Sequence, residues 1–236
     1  MATPKQGYRT KSGERIPSVT TILSRFKESG GLVQWAYKQG REHENLAMRD
    51  LPGPAHLYDV VGKAAEAGTI AHDMIEQNLL AGRLYLPDEP LPDTAANADE
   101  FVIAKARNSF AQFLKWNAQT KLKVIMTEKS LVSEAHRYGG TWDGIGRDVD
   151  GRLVLIDWKT SNAVYGDYLY QLAAYAILIE EVMPELGPVT GFHLLRVAKE
   201  HADFAHHYYG ELDRERRGFL LMRELYEIDA VTKKRA

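Results

Sequence analysis

The pattern of apolar and polar positions changes character once along the chain, near Lys121. Before that point the apolar residues recur at helical spacing. Ile22, Leu23 and Phe26 define a short helix behind the extended stretch Ile16-Pro17-Ser18-Val19-Thr20, and Gly30-Gly31 is expected to break it. A second helix starts at Leu32 and runs to about Ala47, where Pro52-Gly53-Pro54 interrupts the pattern. A long helix follows from about Tyr58 to Leu80, with Ile70, Met74, Ile75 and Leu79 along one side. Residues 81–98, with Pro87, Pro90 and Pro92, read as a loop. The amphipathic stretch from about Asp99 to Gln119 then carries Phe101, Ala104, Phe110, Phe113 and Leu114.

After Lys121 the repeat shortens to that of strands. Val124–Glu128 and Ser130–Val132 read as extended, and Thr141–Val149 with Arg152–Thr160 reads as a hairpin around Asp150-Gly151. Tyr168–Val182 is helical, Val189–Val197 is a strand, Phe204–Tyr209 is a further strand candidate, and Asp213–Ile228 is a closing helix. Lys233-Lys234-Arg235 reads as a frayed basic tail. A helix between strands permits a parallel crossover beside the antiparallel hairpin. The expectation is an α/β fold with a central mixed β-sheet flanked by helices. Residues 1–236 read as a single domain, mainly helical over 1–120, with the sheet core over 121–236.

Composition narrows the chemistry. At 44% hydrophobic residues the chain can bury a core, so wholesale disorder is excluded. The absence of cysteine excludes disulfides, thiolate zinc sites, iron–sulfur clusters and cysteine nucleophiles. Carboxylates and eight histidines remain as metal ligands. A net charge of −2 excludes a uniformly basic coat. The charge is uneven, however. Residues 1–41 carry eight basic residues against two acidic ones, a net of +6, so the remainder carries −8. A basic head on an acidic body suits a polyanion held beside a metal site, though a solvated charged surface explains the charge alone equally well. No signal-peptide core and no run near the roughly 18 apolar residues of a membrane span is present, so a soluble cytoplasmic protein with no membrane partner is expected.

The most informative stretch is Gly139-Gly140-Thr141-Trp142-Asp143 followed by Leu155-Ile156-Asp157-Trp158-Lys159-Thr160. Alternation places Asp157 and Lys159 on one face of a strand, shared with Leu153 and Leu155. A two-residue hairpin loop at Asp150-Gly151 sets Asp143 opposite Trp158. A three-residue loop, Val149-Asp150-Gly151, sets it opposite Asp157, with Cβ atoms roughly 4.5–5.5 Å apart. Gly151 stands where such a loop needs a left-handed residue, which favours the second register. Two carboxylates that close require a proton or a cation between them. With Lys159 on the same face, a hard divalent ion such as Mg²⁺ or Mn²⁺ fits, and the set suits phosphodiester hydrolysis. On the long helix, His72 with Glu76 one turn on is a candidate nitrogen ligand that favours manganese. Gln171 and Tyr175 share a face of the helix after the Asp-x-Lys strand. Taken singly, each of these reads as ordinary core, cap or helix surface.

Together, Gly68-Thr69-x-x-His72, Gly140-x-x-Asp143, Asp157-x-Lys159 and Gln171-x-x-x-Tyr175 occur in the order of the PD-(D/E)XK nuclease superfamily. The chain resembles its RecB-like branch, in particular the mitochondrial genome maintenance exonucleases and related phage exonucleases. The segment Pro17-Ser18-Val19-Thr20-Thr21-Ile22-Leu23, with Trp35-Ala36 following, is similar to the start of that type. The resemblance implies a restriction-endonuclease-like core. It implies a metal held by His72, Asp143, Asp157 and the backbone carbonyl of Trp158, with Glu128 as a further metal or supporting candidate, and Lys159 as the catalytic lysine. Gln171 and Tyr175 match the helix motif placed near DNA, and Thr160 is carried with them on the DNA side. The absence of cysteine separates the chain from the cluster-bearing Cas4 relatives. No helicase phosphate loop is present, so the chain is expected to act alone or with a separate recombination or replication protein. The implied activity is Mg²⁺/Mn²⁺-dependent exonucleolytic hydrolysis of single-stranded or duplex DNA ends in phage or bacterial recombination, replication or repair. A sequence- or structure-specific endonuclease on the same fold and a non-catalytic DNA-end-binding module are the competing expectations. Trp35, Tyr37 and Tyr58 are candidate stacking platforms for bases.

Overall fold

The computed structural model describes residues 4, 6–27, 30–49, 57–86 and 89–235. A two-stranded hairpin, β1 (Tyr8–Arg9) and β2 (Arg15–Ile16), leads into α1 (Val19–Phe26), α2 (Gly30–Ala47), α3 (Leu57–Ala81) and α4 (Glu100–Gln119). The sheet strands follow as β3 (Lys123–Ser133), β4 (Tyr138–Arg147) and β5 (Leu153–Lys159). Then come α5 (Asp167–Val182), β6 (Gly191–Val197), β7 (Phe204–Tyr209) and α6 (Asp213–Lys233). The sheet order is β3-β4-β5-β6-β7, parallel only between β5 and β6, which α5 connects. This is the mixed α/β architecture expected for a restriction-endonuclease-like core.

Two apolar clusters sandwich the sheet. On one face, Val19, Ile22 and Leu23 of α1, the run Leu172–Ala176 of α5 and Phe219 of α6 pack on Leu153, Leu155, Phe192 and Leu194. On the other, Ile70, Met74 and Ile75 of α3 and Phe110, Phe113 and Trp116 of α4 pack on Val154, Ile156, Trp158, Leu195 and Val197. Every residue of β5 is therefore buried, including its two charges. The helices start where short polar caps allow. The Ser18 hydroxyl accepts from the Thr21 amide ahead of α1, and the Asp99 carboxylate accepts from the Val102 amide ahead of α4.

The hairpin register follows the three-residue loop. Gly144, Ile145, Gly146 and Arg147 face Ile156, Leu155, Val154 and Leu153. The Asp148 amide donates to the Arg152 carbonyl (3.1 Å), the Gly151 amide donates to the Asp148 carbonyl (3.0 Å), and Gly151 has φ +78°. Continued by one step, this register sets Asp143 level with Asp157.

Several expectations need correction. The break expected at Gly30-Gly31 falls just ahead of it: α1 ends at Phe26, and Gly30 is the first residue of α2. The two extended runs after Lys121 form one strand, β3, whose continuity is masked in the pattern by Glu128 at φ +35°. The last helix runs on to Lys233, so the first basic residue of the expected tail is helical. The β1–β2 hairpin went unpredicted because two-residue strands leave no periodicity. The Pro52-Gly53-Pro54 break lies outside the described residues, as do the side chains of Trp35 and Tyr58. Among the described residues no helix is long and apolar enough to cross a membrane.

One contact governs how closely α5 lies on β4. A Cβ added at Gly140 would fall 2.6 Å from Tyr175 Cε1 and 3.0 Å from Val19 Cγ2. Gly140→Ala is expected to force α5 outward and to destabilise the fold by about 1–3 kcal/mol, an overpacking cost that denaturant unfolding will measure.

Candidate active site

β4 and β5 stay paired as far as Gly144 and Ile156 and then part. The side chain of Asp143 fills the fork. Its Oδ2 accepts the backbone N–H of Trp158 at 3.1 Å, replacing the carbonyl that a continuing strand would have offered. On the far side of β4, Thr127 faces Gly144 and Lys129 faces Trp142, so Glu128 stands opposite Asp143. Three acidic residues on three adjacent strands are thus set level: Glu128, Asp143 and Asp157. The left-handed backbone at Glu128 is strained for a residue with a side chain, and such strain gathers where function fixes a position.

Helix α3 supplies the fourth member. Its approach depends on Gly68, because a Cβ there would fall 2.7 Å from Thr160 Oγ1 at the end of β5. One turn later His72 is buried, with Nδ1 3.7 Å from Asp143 Oδ1. Burial, assisted by Lys159, lowers the His72 pKa to about 3. The imidazole is therefore neutral, and its approach to Asp143 is not an ion pair. Glu76, one turn further and half-buried, is pushed up by burial and by the charges of Glu128 and Asp73.

Lys159 balances the acids. Its Nζ donates to Asp157 Oδ1 at 2.8 Å and lies 2.7 Å from Oδ2, where the angle makes an ion pair but no hydrogen bond. Burial lowers the Lys159 pKa, and Asp157 and Asp143 together outweigh it, leaving the ammonium pKa raised. Both aspartates are raised, Asp143 to about 6 and Asp157 to about 7, with burial the main cause and, at Asp157, the Asp143 charge adding to it. One lysine does not offset two buried carboxylates.

The unsatisfied atoms show where the deficit lies. His72 Nδ1, Asp143 Oδ1 and Asp157 Oδ2 are all buried without a hydrogen-bond partner. A neutral imidazole nitrogen, a carboxylate oxygen of Asp143 with no hydrogen-bond partner and an Asp157 oxygen held only by the Lys159 ion pair are of the type that ligates a divalent cation, so the residues present fit the implied metal. Among the described residues, no group of three or more His, Asp or Glu side chains is placed to hold a metal ion as it stands.

The other sequence candidates form the wall of this site. Gln171 and Tyr175 are buried rather than on the helix surface, and Gln171 Nε2 donates to Tyr175 Oη at 2.8 Å. They brace α5 against β4, and their polar groups are engaged with each other. Thr160 is half-buried against Gly68. One residue was missed. The Tyr168 ring centroid lies 5.2 Å from Lys159 Nζ, an attraction between ammonium and ring face. Its signal was available, since Tyr168 precedes Gln171 and Tyr175 by three and seven residues on one helix face.

No protein-family model matches the chain, and no curated protein matches it. Among solved structures it is similar to an alkaline exonuclease from Laribacter hongkongensis, at 13% identity and TM-score 0.34 over 52% of this chain and 68% of that one. It is also similar to a candidate exonuclease from Eubacterium rectale, at 13% identity and TM-score 0.42 over 98% of this chain and 86% of that one. At these levels of similarity neither neighbour assigns an activity to this chain.

Carboxylic acids whose folded pKa lies above the unfolded value contribute stability below the unfolded pKa, about 4, and lose it as pH rises through the folded pKa. With a chelator present, stability to urea is therefore expected to fall between about pH 4 and pH 7. Mn²⁺ at pH 7 is expected to restore it, because a ligand of the native state alone raises stability by mass action. Stability that does not fall over that range would contradict the buried acidic row.

Proposed function

We propose that the chain is a divalent-metal-dependent deoxyribonuclease that hydrolyses phosphodiester bonds from DNA ends. The observation that carries this reading is the set of buried atoms without hydrogen-bond partners on His72, Asp143 and Asp157, the last of them balanced only by the ion pair with Lys159. His72, Asp143, Asp157 and the Trp158 carbonyl would hold Mg²⁺ or Mn²⁺, with Glu128 opposite Asp143 as a further oxygen donor. When bound, such an ion acidifies water and polarises a phosphoryl oxygen.

The chain's own residues do the rest. Asp143, anchored through the Trp158 amide, holds its free oxygen in a fixed direction. Burial holds His72 neutral, which leaves a ring nitrogen able to ligate a metal. Lys159 now neutralises Asp157. Once that carboxylate is engaged elsewhere, the ammonium is free to orient the attacking water or to stabilise charge building on the phosphate. Tyr168 holds it over its ring, and the Gln171–Tyr175 pair keeps α5 in register with β4. DNA is proposed to approach along the basic N-terminal helices. Recombination, replication or repair in a phage or bacterial setting is the proposed context, with a separate recombination or replication protein as a candidate partner.

End-labelled linear DNA and a closed circle, each with Mg²⁺, Mn²⁺ or chelator, test the reading. Linear DNA is expected to shorten from its ends only with metal, and the circle to persist. Asp157→Ala and Lys159→Met are each expected to lower the rate by at least about 10²-fold, with Lys159→Met retaining Mn²⁺ binding by calorimetry. Cutting of the circle would favour the endonuclease, and unchanged digestion by Asp157→Ala would remove the site assignment.

A further inference from the structure

Many cations of this fold are spent on holding it together. Arg25 is paired with Asp229 of α6, and Lys27 lies 2.9 Å from Asp167 of α5. Lys63 of α3 pairs with Asp99, and Arg196 near the end of β6 pairs with Asp203. Lys199 differs. It is half-buried in the turn between β6 and β7, and among the described residues it forms no ion pair. Its Nζ donates to the Ala64 carbonyl of α3 at 2.8 Å, a neutral partner. The adjacent Glu200 is taken by Lys105 of α4 at 2.6 Å. Burial and the Lys105 charge lower the Lys199 pKa, and Glu200 offsets only part of that. The turn itself is pinned. The Ala198 carbonyl accepts from Asn108 Nδ2 (3.0 Å) and Ser109 Oγ (3.2 Å), and the His201 carbonyl accepts from Asn108 Nδ2 (2.9 Å). An ammonium fixed in place, partly desolvated and without a counter-ion favours an anionic ligand.

The position of Lys199 says which anion. β5 and β6 run parallel, with Lys159 level with Arg196. Thr160 and Lys199 therefore both lie just beyond the carboxyl ends of these strands, where ligands of open α/β sheets bind. Lys199 meets α3 at Ala64, Thr160 meets it at Gly68 one turn on, and His72 approaches Asp143 one turn after that. These contacts follow one side of α3 over about 12 Å, the rise of eight residues. We propose that Lys199 holds a backbone phosphate of the substrate, one or two linkages from the phosphate that is cut. The proposal rests on the nuclease reading of the acidic site and deepens it by assigning a phosphate subsite outside the acids. A contact to phosphate alone sets the register of the strand and carries no base preference. Lys199 is thus a binding residue, distinct from Lys159, whose ammonium is held among the carboxylates.

Short end-labelled DNA in which one phosphodiester at a time, over the four linkages nearest the end, is replaced by a neutral methylphosphonate tests the proposal. With Mn²⁺ present, one linkage beside the cut is expected to matter for the parent, its neutralisation raising KM roughly tenfold. Lys199→Met is expected to show that same rise on unmodified DNA with kcat little changed, and no further rise when that linkage is neutral. Lys199→Arg is expected to keep the parent's pattern. Fluorescence anisotropy in chelator adds a readout that needs no cutting: the dependence of log K on log salt should flatten by about 0.7–0.9 in Lys199→Met. Thermal melting follows the lost bond to Ala64, and that loss by itself moves neither the salt slope nor the linkage pattern. An unchanged slope, or a full further loss at that linkage in Lys199→Met, would overturn the subsite. The two proposals fail separately: DNA that binds through Lys199 but is cut with no metal removes the nuclease reading alone if Mg²⁺ and Mn²⁺ are both without effect. Cutting that is indifferent to Lys199 removes the subsite alone.

Discussion

The buried row of acids at the fork between β4 and β5 is the constraint around which the rest of the structure is arranged. Carboxylates in an apolar interior are unfavourable, and two side by side are more so. The fold tolerates them because Lys159 is buried with them, because the Trp158 amide binds Asp143, and because the strands part there and leave no ladder to complete. Each concession costs stability that the two apolar clusters on either face of the sheet must supply. The arrangement is what is expected where local rules are broken for a site and satisfied elsewhere.

Much of this was legible in the chain. The hairpin register rested on Gly151 alone, which a three-residue loop needs in the left-handed region, and that one glycine placed Asp143 level with Asp157. The parity of Asp157 and Lys159 followed from strand alternation. The motif glycines have a plain physical basis, since at Gly68 and Gly140 another segment occupies the volume of a side chain. Other features were hidden for reasons that can also be stated. Glu128 interrupts β3 in pattern but not in pairing, because a left-handed residue breaks alternation without breaking the ladder. Gln171 and Tyr175 sit at a spacing that looks like helix surface, and only the packing of α5 on Gly140 shows that the surface is covered. Tyr168 was readable as a neighbour of Gln171 and Tyr175 on one helix face, but its contact with the Lys159 ammonium comes from the packing of α5 on β5.

The division of labour among the N-terminal cations was not legible at all. Charge along the sequence distinguishes a basic segment from an acidic one. It does not say which charges are consumed by packing. Arg25 and Lys27 lie in the same run as Lys38 and Arg41, yet the first pair holds helices together and the second faces water.

The hairpin that opens the chain has a consequence for how the molecule comes to exist. Tyr8 hydrogen-bonds Thr141, 133 residues away, and the Gly139 amide donates to the Pro17 carbonyl, so β4 is seated by a segment made long before it. Arg25 waits still longer, for Asp229. Closure of such distant contacts is slow and comes late in folding. During synthesis the opening hairpin therefore spends most of its time without the strand it completes. Asp143, two residues beyond Thr141, and its neighbour Asp157 follow only when about two-thirds of the 236 residues have been made, so the acidic pair is set long after the hairpin that seats its strand.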